Sequence, residues 1–193
     1  MLDTTEMYNF LEDRWIPGPV LPLTFSKHQM VSVSNTTVLL IGGIQASKAS
    51  SQVWIYDFED DSLKETGSLN LIRVEQSCSQ LPTSGFDEDN EFFETRLIGC
   101  VGGYSNEMYV EFGEHQLRNM EIYDPTIQTW TLTKHFMPVY EEFILWGASM
   151  AMLENTVVIS GGFTPYRGVT DLMLEYHPTF GFRLLPRQLE TPR

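Results

Sequence analysis

The chain has 193 residues, of which 42% are hydrophobic, 12% aromatic and 20% charged, and its formal net charge is −14. That is enough apolar content for one sizeable packed domain, and it is not the composition of a disordered tail. The acidity excludes nucleic acid as the main partner, since phosphate binding needs clustered Lys and Arg, and it weighs against docking on anionic membranes.

The N-terminal stretch is acidic and has no apolar core segment, so it does not read as a signal peptide. No apolar run approaches the ~18 residues needed to span a bilayer. The default expectation is a cytoplasmic protein. One feature points the other way: Asn35-Thr36-Thr37 is a formal glycosylation sequon, placed in a tight turn.

The predicted elements are short β-strands. The first two fall near 5–10 and 14–16, carrying Tyr8 and, seven residues later, Trp15. Next come 28–33 and 37–41, the latter closing on Gly42-Gly43, then 52–58 with Val53-Trp54-Ile55-Tyr56-Asp57, and 62–66. The same order recurs at 74–80, 95–101 closing on Gly102-Gly103, 118–123 ending in Tyr123-Asp124, and 128–133 with Trp130. It recurs again at 147–153, 156–160 closing on Gly161-Gly162, 170–176 ending in Tyr176, and 182–185. The runs are β-branched or aromatic and are separated by Gly, Pro, Asn, Asp and Ser clusters. No long 3.6-residue periodicity is present, so little helix is expected.

The Gly pairs are spaced by 60 and then 59 residues. A Gly pair at a strand end permits positive φ and close backbone approach. The aromatics downstream can fill the space between sheets, since a lone four-stranded sheet buries too little surface to be stable. Leu63 takes the Trp position after Tyr56, and Phe182 falls one residue short of it after Tyr176. Read back from the Gly pairs without a gap, Val31 and Val33 fall on Met150 and Met152.

An apolar strand ending in Gly-Gly, then Tyr-Asp, then Trp seven residues after the Tyr resembles the Kelch repeat. The resemblance runs over nearly the whole chain and is strongest around Tyr123 and Trp130. It implies an all-β fold of Kelch-type propeller blades, each a four-stranded antiparallel meander. It also implies a binding role towards a protein or peptide. Separately, the absence of metal-ligand spacing and cofactor motifs leads to no cofactor and no metal being expected. The expected organisation is one Kelch-repeat region over 1–193: an outer half-blade at 1–16, a blade at 28–66, a blade at 74–133 with an acidic insert at 82–94, and a blade at 147–185. Fourteen strands make an incomplete ring. Residues 186–193 offer no inner strands to seal it, so a fragment of a longer propeller or an open array is expected, with edge-mediated self-association as its hazard.

Up-and-down connectivity sorts the loops onto two faces. One face receives Glu59-Asp60-Asp61, the insert with Asp87, Glu88, Asp89, Glu91 and Glu94, and Asp124 and Glu154, and is expected to be acidic. The insert reads as a solvated loop, without the ordered ligand spacing of a calcium site. The other face receives the inter-blade connections near 16–27, 67–74 and 134–146 and the middle loops near 44–52, 104–118 and 163–169. Mixed aromatic and Arg content is what interface hot spots use. The candidate partner-binding residues are Arg73, Tyr104, Tyr109, His115, Arg118, His135, Tyr140, Tyr166 and Arg167. The alternative is ordinary solvated loops.

No enzyme is expected. His28, His115, His135 and His177 show no metal-ligand spacing, and no nucleophile elbow, phosphate loop or dinucleotide fingerprint occurs. Cys78 and Cys100 sit on adjacent predicted strands and read either as buried small hydrophobes or as a cross-strand pair. Oxidation of that pair, or a glycan on Asn35, would favour a secreted or ectodomain propeller over an intracellular binding module. A propeller enzyme is the third reading.

Overall fold

The computed structural model describes residues 2–82, 84–86, 92–94, 97–105, 117–138, 145–165 and 167–193. It is all-β, with four-stranded antiparallel sheets stacked face to face. The leading sheet contains β1 (Leu2–Asn9) and β2 (Arg14–Ser26). The first blade orders as β3 (Gln29–Ser32), β4 (Thr37–Ile41), β7 (Val53–Asp57) and β8 (Ser62–Thr66). The second orders as β9 (Ser77–Gln80), β12 (Ile98–Val101), β13 (Asn119–Asp124) and β14 (Thr129–Phe136). The third orders as β15 (Ser149–Leu153), β16 (Thr156–Ser160), β19 (Met173–His177) and β20 (Gly181–Leu184).

The Tyr-to-Trp spacing is a cross-strand pair. Tyr8 lies opposite Trp15, Tyr56 opposite Leu63, Tyr123 opposite Trp130 and Tyr176 opposite Phe182. Phe182 comes one residue early because its hairpin has three residues between His177 and Gly181, where the second-blade hairpin has four between Asp124 and Thr129. The residue after each Tyr opens the turn. The side chains of Asn9, Asp57, Asp124 and His177 each accept the backbone N–H two positions on, at 2.8–3.1 Å. Such a local bond offers the chain a turn in place of continued strand.

The Gly pairs knit each blade to the connection that leaves it. Gly43 N–H donates to Arg73 O, Gly103 N–H to Leu145 O and Gly162 N–H to Arg193 O, at 2.7–2.8 Å. All six glycines have φ between 58° and 96°. A Cβ on Gly102 would lie 2.2 Å from Leu145 O, and one on Gly161 2.2 Å from Arg193 O.

The core consists of three layers between successive sheets. Leu21 and Phe25 of the leading sheet meet Leu40 and Tyr56. Leu39, Ile41 and Val53 meet Ile98, Tyr123 and Trp130. Val101 and Met120 meet Val157, Ile159, Leu174 and Tyr176. Two of these tyrosines reach the preceding blade: Tyr123 and Thr66 hydroxyls hydrogen-bond at 2.9 Å, and Tyr176 Oη lies 3.4 Å from His135 Nδ1.

Several expectations are corrected. β2 runs to Ser26 rather than ending at 16, through Pro17, Pro19 and Pro22; its pairing with β1 is interrupted by register shifts, which relieves the missing N–H groups. The middle loops at 44–52 and 163–169 are not loops throughout. β5 (Ile44–Gln45) and β6 (Lys48–Ala49) form a hairpin whose first strand pairs with the end of β2. β17 (Phe163–Thr164) and β18 (Gly168–Val169) form another. The acidic insert contains β10 (Ser84–Phe86) paired with β11 (Phe92–Glu94), while Asp87, Glu88, Asp89 and Glu91 lie outside the described residues.

The gapless match of Val31 with Met150 is also off by one. Val31 lies opposite Leu39 and packs against the second blade, whereas Met150 lies opposite Ile159 and packs against the preceding one. The β3–β4 turn is longer than the two-residue Glu154-Asn155 turn, and an odd register change flips every side chain to the other face.

Candidate functional site

The strands that enter each blade converge on the inner end of the stack. Lys27, Glu75 and Gly147 hold corresponding places on three successive connections, each with positive φ (55°, 56° and 65°). They are linked in series: Glu75 N–H donates to Lys27 O at 3.0 Å, and Gly147 N–H to Glu75 O at 2.9 Å. Lys27 Nζ bonds Glu75 Oε1 and Tyr104 Oη, both at 2.7 Å, and lies 5.2 Å from the Tyr104 ring centre. The bonds to Glu75 and then Tyr104 hold the Lys27 ammonium above its usual range, so it stays charged.

From Tyr104 an aromatic row continues across the next junction. Its ring is 5.8 Å from Trp146, and Trp146 is 4.9 Å from Phe163. Two isolated bridges place these rings: Val74 pairs with Tyr104, and Trp146 with Phe163. Phe163 is 38% exposed, and Tyr104 and Trp146 are half-buried. Next in the chain after Lys27 and Glu75 come His28, whose pKa is lowered by burial, and the fully buried Gln76. His28 Nδ1 and Gln76 Oε1 have no protein hydrogen-bond partner. Trp146, Phe163 and Glu75 were missed in the sequence because the signal is a repeat-to-repeat correspondence of connection residues, not a local motif.

The sequence-predicted site residues scatter. Tyr104 lies in the row. Arg73 does not reach this surface: it is wholly buried, its Nε is 2.8 Å from Glu121 Oε1, its Nη1 donates to Gly102 O and Leu117 O, and its Nη2 donates to Asn119 O. Glu121 in turn accepts from Asn70 N and Nδ2. A buried guanidinium needs a counterion and carbonyl acceptors of this kind, so Arg73 holds two blades together and is no partner contact. His135 lies in β14, not in a loop, and its ring packs 5.9 Å from Tyr176. Arg118 donates to Met137 O and sits over the ring of the exposed Phe136 at 5.5 Å. Arg167 is exposed at the tip of the β17–β18 hairpin, its N–H bonded to Thr164 Oγ1. Tyr109, His115, Tyr140 and Tyr166 lie outside the described residues.

Cys78 and Cys100 are a disulfide-bonded cross-strand pair, directly opposite on β9 and β12 with Cα atoms 4.2 Å apart. Both are buried in the layer shared with the first blade.

No protein-family model matches the chain. Over 185 residues it is 21% identical to Kelch-like protein 15 of Homo sapiens and 23% identical to that of Danio rerio, in each case over 91% of this chain. The chain spans 28% of the length of these relatives. A solved structure described as "Structure of YjhT" superposes with a TM-score of 0.67 at 12% identity, covering 93% of this chain and 57% of that one. The chain is thus similar in sequence to Kelch-like proteins, and its fold is that of β-propeller blades.

Proposed function

We propose that the chain is a protein-interaction module that binds a protein or peptide at the inner ends of its blades, on the surface formed by Lys27, Tyr104, Trp146 and Phe163. The observation that carries this reading is the aromatic row: three rings from two blades and an inter-blade connection, half-exposed and next to a charged Lys. Aromatic clusters with a polar rim are what interface hot spots use. Arg118 and Arg167 are further candidate contacts, and Tyr109, His115, Tyr140 and Tyr166, which lie outside the described residues, stand as candidates on the sequence alone.

The test is panning of a random peptide library against the folded chain. Peptides enriched on the wild type should lose at least about tenfold in affinity for Phe163→Ala and Tyr104→Ala, and should be unaffected by Glu59→Lys on the opposite face. Equal binding to all these variants would sink the reading.

One observation favours a second setting for the same activity. A disulfide persists in oxidising compartments, and Cys78–Cys100 is bonded while the sequon residue Asn35 is exposed. This supports a secreted or ectodomain propeller over the cytoplasmic expectation. Alkylation of cell extracts at the moment of lysis checks it: free thiols at both cysteines would return the chain to the cytoplasm.

A further inference from the structure

Each junction between successive sheets is set by the same two positions. The first is the connection residue whose carbonyl receives the second glycine of the pair: Arg73, Leu145 and Arg193. Phe25 takes this place in the leading sheet, since Ser26 O approaches Gly43 as Val74 O approaches Gly103. The second lies on the third strand of the following blade, two residues before the repeat Tyr: Trp54, Glu121 and Leu174.

Across the three junctions the two positions match in chemistry. Phe25 faces Trp54 ring to ring at 6.5 Å. Arg73 is ion-paired with Glu121, both side chains wholly buried. Leu145 and Leu174 share one apolar cluster. Two further members of the series lie on the outward faces of the leading sheet and the third blade. Arg193 occupies the connection position of the third blade, with Leu189 N–H bonded to Asp171 O as Leu69 N–H is to Ser51 O. Glu6 occupies the third-strand position of the leading sheet, opposite Pro17 as Glu121 is opposite Leu132, in the register set by Tyr8–Trp15 and Tyr123–Trp130. Both are exposed. An Arg and a Glu remain, the same pair that seals the junction between the first and second blades.

The apolar surroundings also correspond. Trp15 is 65% exposed, whereas its counterpart Trp130 is 7% exposed. On the outward face of the third blade, Val158 and Met173 hold the places of Leu39 and Val53, which are fully buried at the junction between the first and second blades. Ser160 and Glu175 stand where Ile41 and Ile55 stand, so this face contributes less apolar area. Glu190 stands in the place of Asn70, leaving only its main-chain N–H to a carboxylate.

We propose that the outward face of the third blade binds the leading sheet of a second copy of this chain, head to tail, with Arg193 of one copy ion-paired to Glu6 of the other and Trp15 packed on Val158 and Met173. Charge complementarity selects the second copy as the occupant. The reduced apolar area makes the association reversible. The contact is heterologous, so copies either close on one another or extend as an open chain.

Sedimentation and light scattering of the full 193-residue chain across a concentration series test this. The wild type should associate reversibly. Glu6→Arg and Arg193→Glu should each weaken association by at least about tenfold. An equimolar mixture of the two variants should associate again, because each copy then offers the charge that the other needs at both junctions. Both residues are exposed, so circular dichroism should show an unchanged fold. A chain that stays monomeric at every concentration would overturn the proposal. So would association that neither charge reversal alters, which would point to strand pairing along the free edge of β1.

Discussion

The Arg73 guanidinium lies 2.8 Å from the Glu121 carboxylate, and neither side chain has any exposed surface. Arg73 lies on the connection that leaves the first blade, where its carbonyl accepts from Gly43, and Glu121 lies on the second, so the pair ties the two blades together. Removing one partner leaves a buried charge without its counterion, which costs about 3–5 kcal/mol. Arg73→Met and Glu121→Leu should each destabilise the chain by about that amount in urea unfolding. The double variant should cost clearly less than the sum, because the Leu145–Leu174 junction shows that the site accepts an apolar pair. Additive losses would mean that the two residues act independently.

Gly102 and Gly147 both have positive φ, 72° and 65°, but their surroundings differ. A Cβ on Gly102 would lie 2.2 Å from the Leu145 carbonyl oxygen, while one on Gly147 meets nothing within 4 Å. Gly102→Ala should therefore cost the left-handed backbone penalty plus a displaced strand connection, roughly 2–4 kcal/mol. Gly147→Ala should cost only the backbone part, about 1–2 kcal/mol. Thermal unfolding of the two variants measures the difference, and equal losses would contradict the close-approach account.

The repeat was legible in the sequence because its parts are backbone devices. Gly42-Gly43 must adopt positive φ, Asp124 must turn the chain, and Tyr123 must face Trp130 across a hairpin of set length. Each such demand restricts residue type locally, so it shows in one dimension. Arg73 was misassigned because a charged connection residue reads as exposed unless its partner is known, and Glu121 lies 48 residues away on the next blade. The Val31–Met150 mismatch has a similar origin: turn length, not strand composition, decides which face a residue takes. The Tyr104–Trp146–Phe163 row was out of reach because it forms only when two middle loops and a connection are brought to one end of the stack.

Cys78 and Cys100 close a loop with a sequence separation of 22, and that loop includes the acidic insert. Linking these positions restricts the unfolded chain, which on the chain-entropy account stabilises the fold by about 3 kcal/mol. The pair is buried, so thiol reductants should reach it slowly in the native state and quickly once the second blade opens. Urea unfolding with and without dithiothreitol measures the stability difference. Cys78→Ala/Cys100→Ala should unfold at the midpoint of the reduced wild type, corrected for the lost sulfur packing. No difference on reduction would show that the bridge merely sits in a core that is stable without it.

Tyr176 gives the fold a dependence on alkaline pH. Its side chain is fully buried between the second and third blades, and burial pushes the phenol from its ordinary 10.0 up to about 12. Burial favours the neutral phenol, so its contribution is complete below pH 10 and is lost as pH rises towards about 12. Tyr123, raised in the same direction by burial at the preceding junction, adds to the effect. Tyrosinate absorbance and circular dichroism, followed together above pH 10, should show the last tyrosines ionising in step with loss of β-structure. Tyr176→Phe loses the 3.4 Å contact with His135 Nδ1 but has no phenol to ionise. Its unfolding midpoint should move to higher pH relative to its own stability at neutral pH. An unchanged midpoint would place the alkaline transition elsewhere in the fold.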